Sequence, residues 1–189
     1  LSMKISTGKR GKVHKFLNFA VKVKNKESKA VRRLVNEAAW LKKLNKYGIG
    51  PRLYYSSDRF IITQYVKGEA ILDFFKKCSF LEKIEVIKQV FTQCRIMDKL
   101  HVDKLEMHRP LKHVIINKKN NKLKVIMIDF ERCKYSKSPK NVTQFAQFLI
   151  SCSFKVSKGA LIKILKQYKK DFSDLSYNKI VNFFLSKNH

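Results

Sequence analysis

With 189 residues, 44% of them apolar, the chain is large enough for one domain, or for two small lobes that share a cleft around a real core. Aromatics at 12%, with only 3 Pro and 6 Gly, exclude a disordered or loop-rich chain. Against 14 Asp and Glu stand 42 Lys and Arg, a formal charge of +28 that attracts polyanions as different as ATP, nucleic acid and acidic proteins.

The basic residues run along the whole sequence rather than gathering in a tail, a pattern that fits a solvated lysine-rich surface as well as a dedicated RNA face. Cys78, Cys94, Cys133 and Cys152 are widely spaced with no C-x-x-C, so neither a zinc site nor a disulfide frame is indicated, and reduced thiols in the cytosol are expected. No segment approaches about 18 uninterrupted apolar residues and no signal-peptide pattern opens the given sequence, so no membrane span or export is expected.

In chain order, residues 4–23 hold Gly8 and Gly11 between short apolar segments. The spacing allows a tight hairpin whose N–H groups approach a phosphate, or an ordinary surface hairpin. Ala20-Val21-Lys22-Val23 predicts a strand carrying one lysine. Ser28 caps a predicted helix to about Tyr47, closed by Gly48-Ile49-Gly50-Pro51. On that helix, with Leu34 as zero, Val31, Ala38, Leu41 and Leu44 fall within about +60° to −80° and Glu37 near −60°. Glu37 is thus on the apolar arc, where it pairs with a cation such as Lys22 or reaches out to solvent.

A hairpin is predicted over 52–66 about Ser57-Asp58, broken by Lys67-Gly68. Short helical material at 70–77 follows. Ser79-Phe80-Leu81-Glu82 then forms a capping box opening a long helix to about His101, with Ile84, Ile87, Phe91 and Cys94 on one face. A polar loop over 102–112 leads to a second hairpin, His113 to Asn117 and Leu123 to Asp129, with its turn at 118–121. The remainder is helical: a segment capped by Asn141-Val142-Thr143-Gln144 to about Phe154, one from Ser157 through Tyr168, and one over 175–185.

The apolar run Val125-Ile126-Met127-Ile128 delivers Asp129, followed by Phe130, to a strand end. A carboxylate there requires Mg²⁺, Lys or Arg as its partner. The order of parts is a glycine hairpin, an Ala-Val-Lys strand, a helix with an inward Glu, a hairpin and hinge, a long helix ending Leu100-His101, a polar loop, and a hairpin ending Asp129-Phe130. It resembles the protein-kinase fold, and most closely the small atypical archaeal kinases: the RIO kinases and the kinase associated with tRNA threonylcarbamoylation.

The resemblance implies an α+β, two-lobed architecture: a small antiparallel-sheet lobe over residues 1–66 and a short helical lobe over 67–189. It makes Gly8 and Gly11 the phosphate-covering loop, Lys22 the ligand of the α- and β-phosphates, Glu37 its ion-pair partner, Gln64, Tyr65 and Val66 the adenine hinge, and Asp129 the Mg²⁺ ligand. His108-Arg109-Pro110-Leu111-Lys112-His113-Val114-Ile115 departs from the kinase catalytic loop. Lys112 matches, Pro110 stands at the aspartate, and Ile115 at the asparagine that binds a second metal. Counting back from the hairpin instead puts His113 at the asparagine and His108 at the aspartate. Glu106, His108 and Asp103 are the nearby groups able to orient a hydroxyl, with Glu106 preferred; each also fits a plain polar loop. The expectation is a cytosolic, ATP- and Mg²⁺-dependent Ser/Thr protein kinase or kinase-like ATPase. The alternative is a pseudokinase serving as a basic scaffold or RNA-binding module, with a possible tRNA-linked partner.

Overall fold

The computed structural model describes residues 3–8, 11–24, 31–152 and 158–186, so Ser28, Phe154 and Ser157, named above, lie outside the described residues. The chain forms two compact units, one of residues 1–71 and 112–133, the other of 72–111 and 134–189. The hairpin that carries Asp129 therefore groups with the N-terminal sheet.

In the first unit, β1 (Met3–Gly8), β2 (Gly11–Phe16), β3 (Phe19–Lys24), β4 (Leu53–Ser56) and β5 (Phe60–Gln64) make an antiparallel sheet of order β1-β2-β3-β5-β4. Gly8 and Gly11 face each other at the end of the first hairpin. Helix α1 (Val31–Leu44), continued by a 3₁₀ turn over Asn45–Tyr47, lays Leu34 and Ala38 on Ile61 and Leu53 of the sheet. β6 (Glu69–Ala70), β8 (Val114–Lys119) and β9 (Lys122–Met127) form a second, three-stranded sheet.

The β8–β9 turn is Asn120-Asn121, both at positive φ (48° and 59°), a two-residue connection whose backbone matches strand twist. The four-residue turn expected at 118–121 is shorter because paired asparagines tolerate that geometry. Asp129 lies two residues beyond β9, in left-handed backbone (φ 62°), rather than on the strand.

The second unit contains β7 (Val102–Asp103), β10 (Lys134–Tyr135) and helices α3 (Phe80–Lys99), α4 (Asn141–Ser151), α5 (Lys158–Asp171) and α6 (Asp174–Ser186); the short α2 (Ile71–Phe75) leads into it. The Ser79–Glu82 capping box of α3 is present on both sides. Phe91 packs on Phe145 and Phe184 at ring separations of 4.9 and 5.7 Å. No helix among the described residues is long and apolar enough to cross a membrane.

Two expectations for this unit are corrected. Residues 102–104 are not a solvated loop: β7 pairs with β10, and Val102, Asp103 and Lys104 are buried. Asn141 does not cap α4 with its side chain, which instead accepts from Lys104 N (2.9 Å) and donates to Val102 O and Asp98 Oδ1. Asp98 also accepts from the Tyr168 hydroxyl, which Arg95 contacts in turn. Burial pushes the Asp98 carboxyl up to about 6 against the pull of those donors. This buried network fastens the start of the 102–112 segment to helices α3 and α4.

Gly50 (φ 82°) is a tight turn position of the first unit: a Cβ there would lie 2.8 Å from Leu41 Cδ2 and 3.0 Å from the buried Phe130 ring. Gly48 (φ 70°) has open space around it. Gly50→Ala is expected to cost about 2–4 kcal/mol and Gly48→Ala only about 1 kcal/mol, compared by urea denaturation. Equal losses would show that backbone conformation alone sets both positions.

Candidate active site

All of the charged side chains that meet here belong to the first unit. β3 alternates its residues across the sheet and presents Lys22 beside Ala20; α1 brings Glu37 to the same point from its apolar face. Lys22 Nζ lies 2.6 Å from Glu37 Oε2, 3.4 Å from Glu131 Oε2 and 3.8 Å from Asp129 Oδ1. Glu37 and Glu131 are buried, and Arg33 reaches Glu131 at 4.0 Å.

Three carboxylates thus share one ammonium. Burial works to lower the Lys22 pKa, yet the attraction of Glu37, Asp129 and Glu131 outweighs it and holds the lysine charged well beyond its usual range. Burial pushes the Glu37 carboxyl up; Lys22 opposes this, while Asp129 and Glu131 add to it. Lys22 and, at 4.0 Å from Glu131, Arg33 still leave the three acids with a negative surplus.

That surplus suits a hard cation. One oxygen from each of Glu37, Asp129 and Glu131 lies within 4.8 Å of the others, an all-oxygen donor set of the kind Mg²⁺ takes. His113 stands beside it, Nε2 3.8 Å from Asp129 Oδ2. The surrounding cleft, about 470 Å³, is lined by Val13, Ala20, Ile115 and Ile128 together with Gln64, Tyr65, Val66 and the exposed Lys112. Its walls are mostly apolar, with the charges at one end, as a site for a planar base bearing an anionic tail requires.

The structure brings together Lys22, Glu37, Asp129, Lys112, His113, Gln64 and Val66 around this cleft. Glu106 and His108 belong to the second unit, Glu106 half-buried and His108 exposed. The loop around Glu106 is fastened by Met107 N donating to Gln144 Oε1. Asp103 is buried and accepts from Leu105 N, so its carboxylate shapes the chain rather than facing solvent.

Three contributors were missed by the sequence reasoning. Glu131 lies two residues beyond Asp129 and brings the third carboxylate. Asn36 Nδ2 donates to Glu131 O and Cys133 O, and Trp40 Nε1 donates to Cys133 O, so α1 grips the backbone just after Asp129. Asn36 and Trp40 are four apart and so share a helix face, a polar signal visible in the sequence beside the apolar stripe.

The solved structure of a ternary complex of streptomycin, ATP and APH(2")-IIa, an aminoglycoside phosphotransferase, superposes on this chain with a TM-score of 0.55 over 98% of this chain and 91% of that one, at 16% identity. At that identity the likeness defines the fold: the chain has the protein-kinase-like fold. No protein-family model matches the sequence, and no curated protein does.

Glu131→Gln removes one surplus charge at nearly constant shape. In the absence of divalent metal it should leave the melting temperature unchanged or raise it by a few degrees, and it should weaken Mg²⁺ binding by about tenfold or more, measured by calorimetry. Loss of stability with unchanged Mg²⁺ affinity would make Glu131 a structural partner of Lys22 alone.

Proposed function

We propose that the chain is an ATP-dependent phosphotransferase of the atypical kinase type, acting on a Ser or Thr hydroxyl of a protein. The observation that carries this reading is the Lys22–Glu37 pair at 2.6 Å with Asp129 and Glu131 beside it, at the charged end of an apolar cleft. ATP in the complex of the structural neighbour adds support. The nearer resemblance to RIO-type kinases rests on the sequence motifs alone.

In this reading Gln64 to Val66 receive the adenine, and Gly8 and Gly11 cover the phosphates. Lys22, kept charged and aimed by Glu37, binds the α- and β-phosphate oxygens. Asp129, with Glu131 and His113 next to it, holds Mg²⁺, which when bound neutralises phosphate charge. Lys112, exposed at the cleft edge, is placed to offset charge on the γ-phosphate. Glu106, by its place in the chain between α3 and the Asp129 hairpin, is the group proposed to orient the acceptor hydroxyl, with His108 as its nearest substitute. A carboxylate accepts a hydrogen bond without adding positive charge. The division into lobes at residue 66 belongs to the same proposal.

Pro110 and Ile115 favour a second reading, a pseudokinase that binds nucleotide without turnover, because neither residue can act as a base or hold a metal. One set of measurements separates the two. Mg-ATP at about 100 times its dissociation constant should raise the melting temperature by roughly 5–10 °C, and Lys22→Met or Asp129→Ala should remove most of the shift. Glu106→Gln should keep the shift and lower single-turnover phosphate transfer by about 10²- to 10⁴-fold, with a smaller loss in Lys112→Ala. A shift that survives both site variants contradicts the nucleotide site; a shift without phosphate transfer in the wild type leaves the pseudokinase.

A further inference from the structure

Adjoining the Lys22 cleft, with Gln64 common to both linings, the first unit carries a second concavity whose cations the phosphotransferase reading does not use. Its volume is about 490 Å³, and Lys42, Asn45, Arg52, Leu53, Gln64 and Lys124 contribute to its lining. Three of these are exposed cations, contributed by α1, the residue just before β4, and β9; no carboxylate is among the lining residues, and none of the three cations joins an ion pair among the described residues. The frame is fixed, because Asn45 Nδ2 donates to Ile49 O and Pro51 O while its Oδ1 accepts from Leu53 N.

Beside the pocket runs β4, an edge strand of the five-stranded sheet. Its pairing with β5 slips between Leu53 and Tyr55, a bulge that inserts Tyr54 as an extra residue. Two successive tyrosines consequently stay about half exposed, Tyr54 at 47% and Tyr55 at 53%. Each ring is backed by another: Tyr54 meets Phe19 edge-on at 5.2 Å, with the Arg52 guanidinium 5.3 Å from its centroid, and Tyr55 stacks on Phe60 at 5.4 Å. Rigid aromatic faces next to an unneutralised cationic pocket complement a polyanion that also offers flat rings.

We propose that this face of the first unit, Tyr54 and Tyr55 with the Lys42–Arg52–Lys124 pocket, binds single-stranded nucleic acid, bases on the tyrosines and backbone phosphates in the pocket. A duplex keeps its bases stacked internally and cannot use the rings. Nothing in this assignment depends on ATP or on Glu106.

Fluorescence anisotropy with a labelled 12-residue oligouridylate, its deoxy counterpart and a duplex of equal phosphate number tests it at about 150 mM salt. The oligomers are expected to bind more tightly as single strands than as duplex. Tyr54→Ala with Tyr55→Ala should weaken the single strand on the order of tenfold or more and leave the salt slope unchanged, with binding restored in the Phe/Phe variant. Lys42→Glu, Arg52→Glu and Lys124→Glu together should weaken it further and lower the salt slope by about 2, as expected for three lost phosphate contacts. The control is an equal charge reversal on α5 at the exposed Lys158, Lys166 and Lys169, expected to weaken binding several-fold at most. Equal losses in the two charge-reversed proteins, tyrosine variants that bind like the wild type, or preference for the duplex would each overturn the proposal. Thermal melts of every variant separate lost binding from lost folding.

Discussion

One ammonium among three carboxylates is the constraint on which the first unit is organised. Lys22 cannot be moved to water without leaving Glu37 buried and uncompensated and Glu131 with Arg33 alone, a loss of several kcal/mol, so the strand, the helix and the segment after Asp129 must arrive together. The same arrangement is a poor way to obtain stability, because three carboxylates outnumber Lys22 and Arg33 and a surplus negative charge persists. A buried negative surplus favours a cation, which is the physical basis of the proposed Mg²⁺ site. The backbone grip of Asn36 and Trp40 and the seat of Phe130 against Gly50 then appear as supports: they hold Asp129 and Glu131 where their charges meet Lys22.

The other unit solves a different problem, how to bury a chain that must turn back beneath a helix. Asp98, Asn141, Tyr168 and Arg95 satisfy one another and the backbone at Val102 and Lys104, so the segment bearing Glu106 and His108 starts from a fixed point. Its polar residues are therefore of two sorts. Asp103 and Asn141 are consumed in building the segment, whereas His108 and Arg109 remain exposed.

Much of this was legible in the sequence wherever periodicity and charge pointed the same way. Glu37 fell on the apolar arc of its helix and Lys22 on the preceding strand, and their contact follows from the cost of burying either alone. The Ser79–Glu82 box marked the start of α3 because its two reciprocal bonds depend only on local spacing. Where tertiary contacts decide, local reading failed. Asn141 carries the composition of a cap, but the buried Asp98 and the Val102 carbonyl compete for its side chain and win. Residues 102–104 open a polar stretch, and are buried all the same because β10, far along the chain, pairs with Val102 and Asp103 while Asn141 takes the Lys104 amide. Glu131 carries no local signal, because a single acid just past a strand end reads the same whether it faces solvent or the buried Lys22.

The account stands on coupling between a metal and a phosphate ligand at Lys22 and Asp129. Calorimetric titration of ATP into the wild-type chain, with Mg²⁺ and again with chelator, measures that coupling directly. Because linkage is reciprocal, Mg²⁺ affinity must change by the same factor when ATP is present. The expected result is an ATP affinity at least about tenfold higher with Mg²⁺; equal affinities with and without the metal would contradict the assignment of the carboxylate cluster.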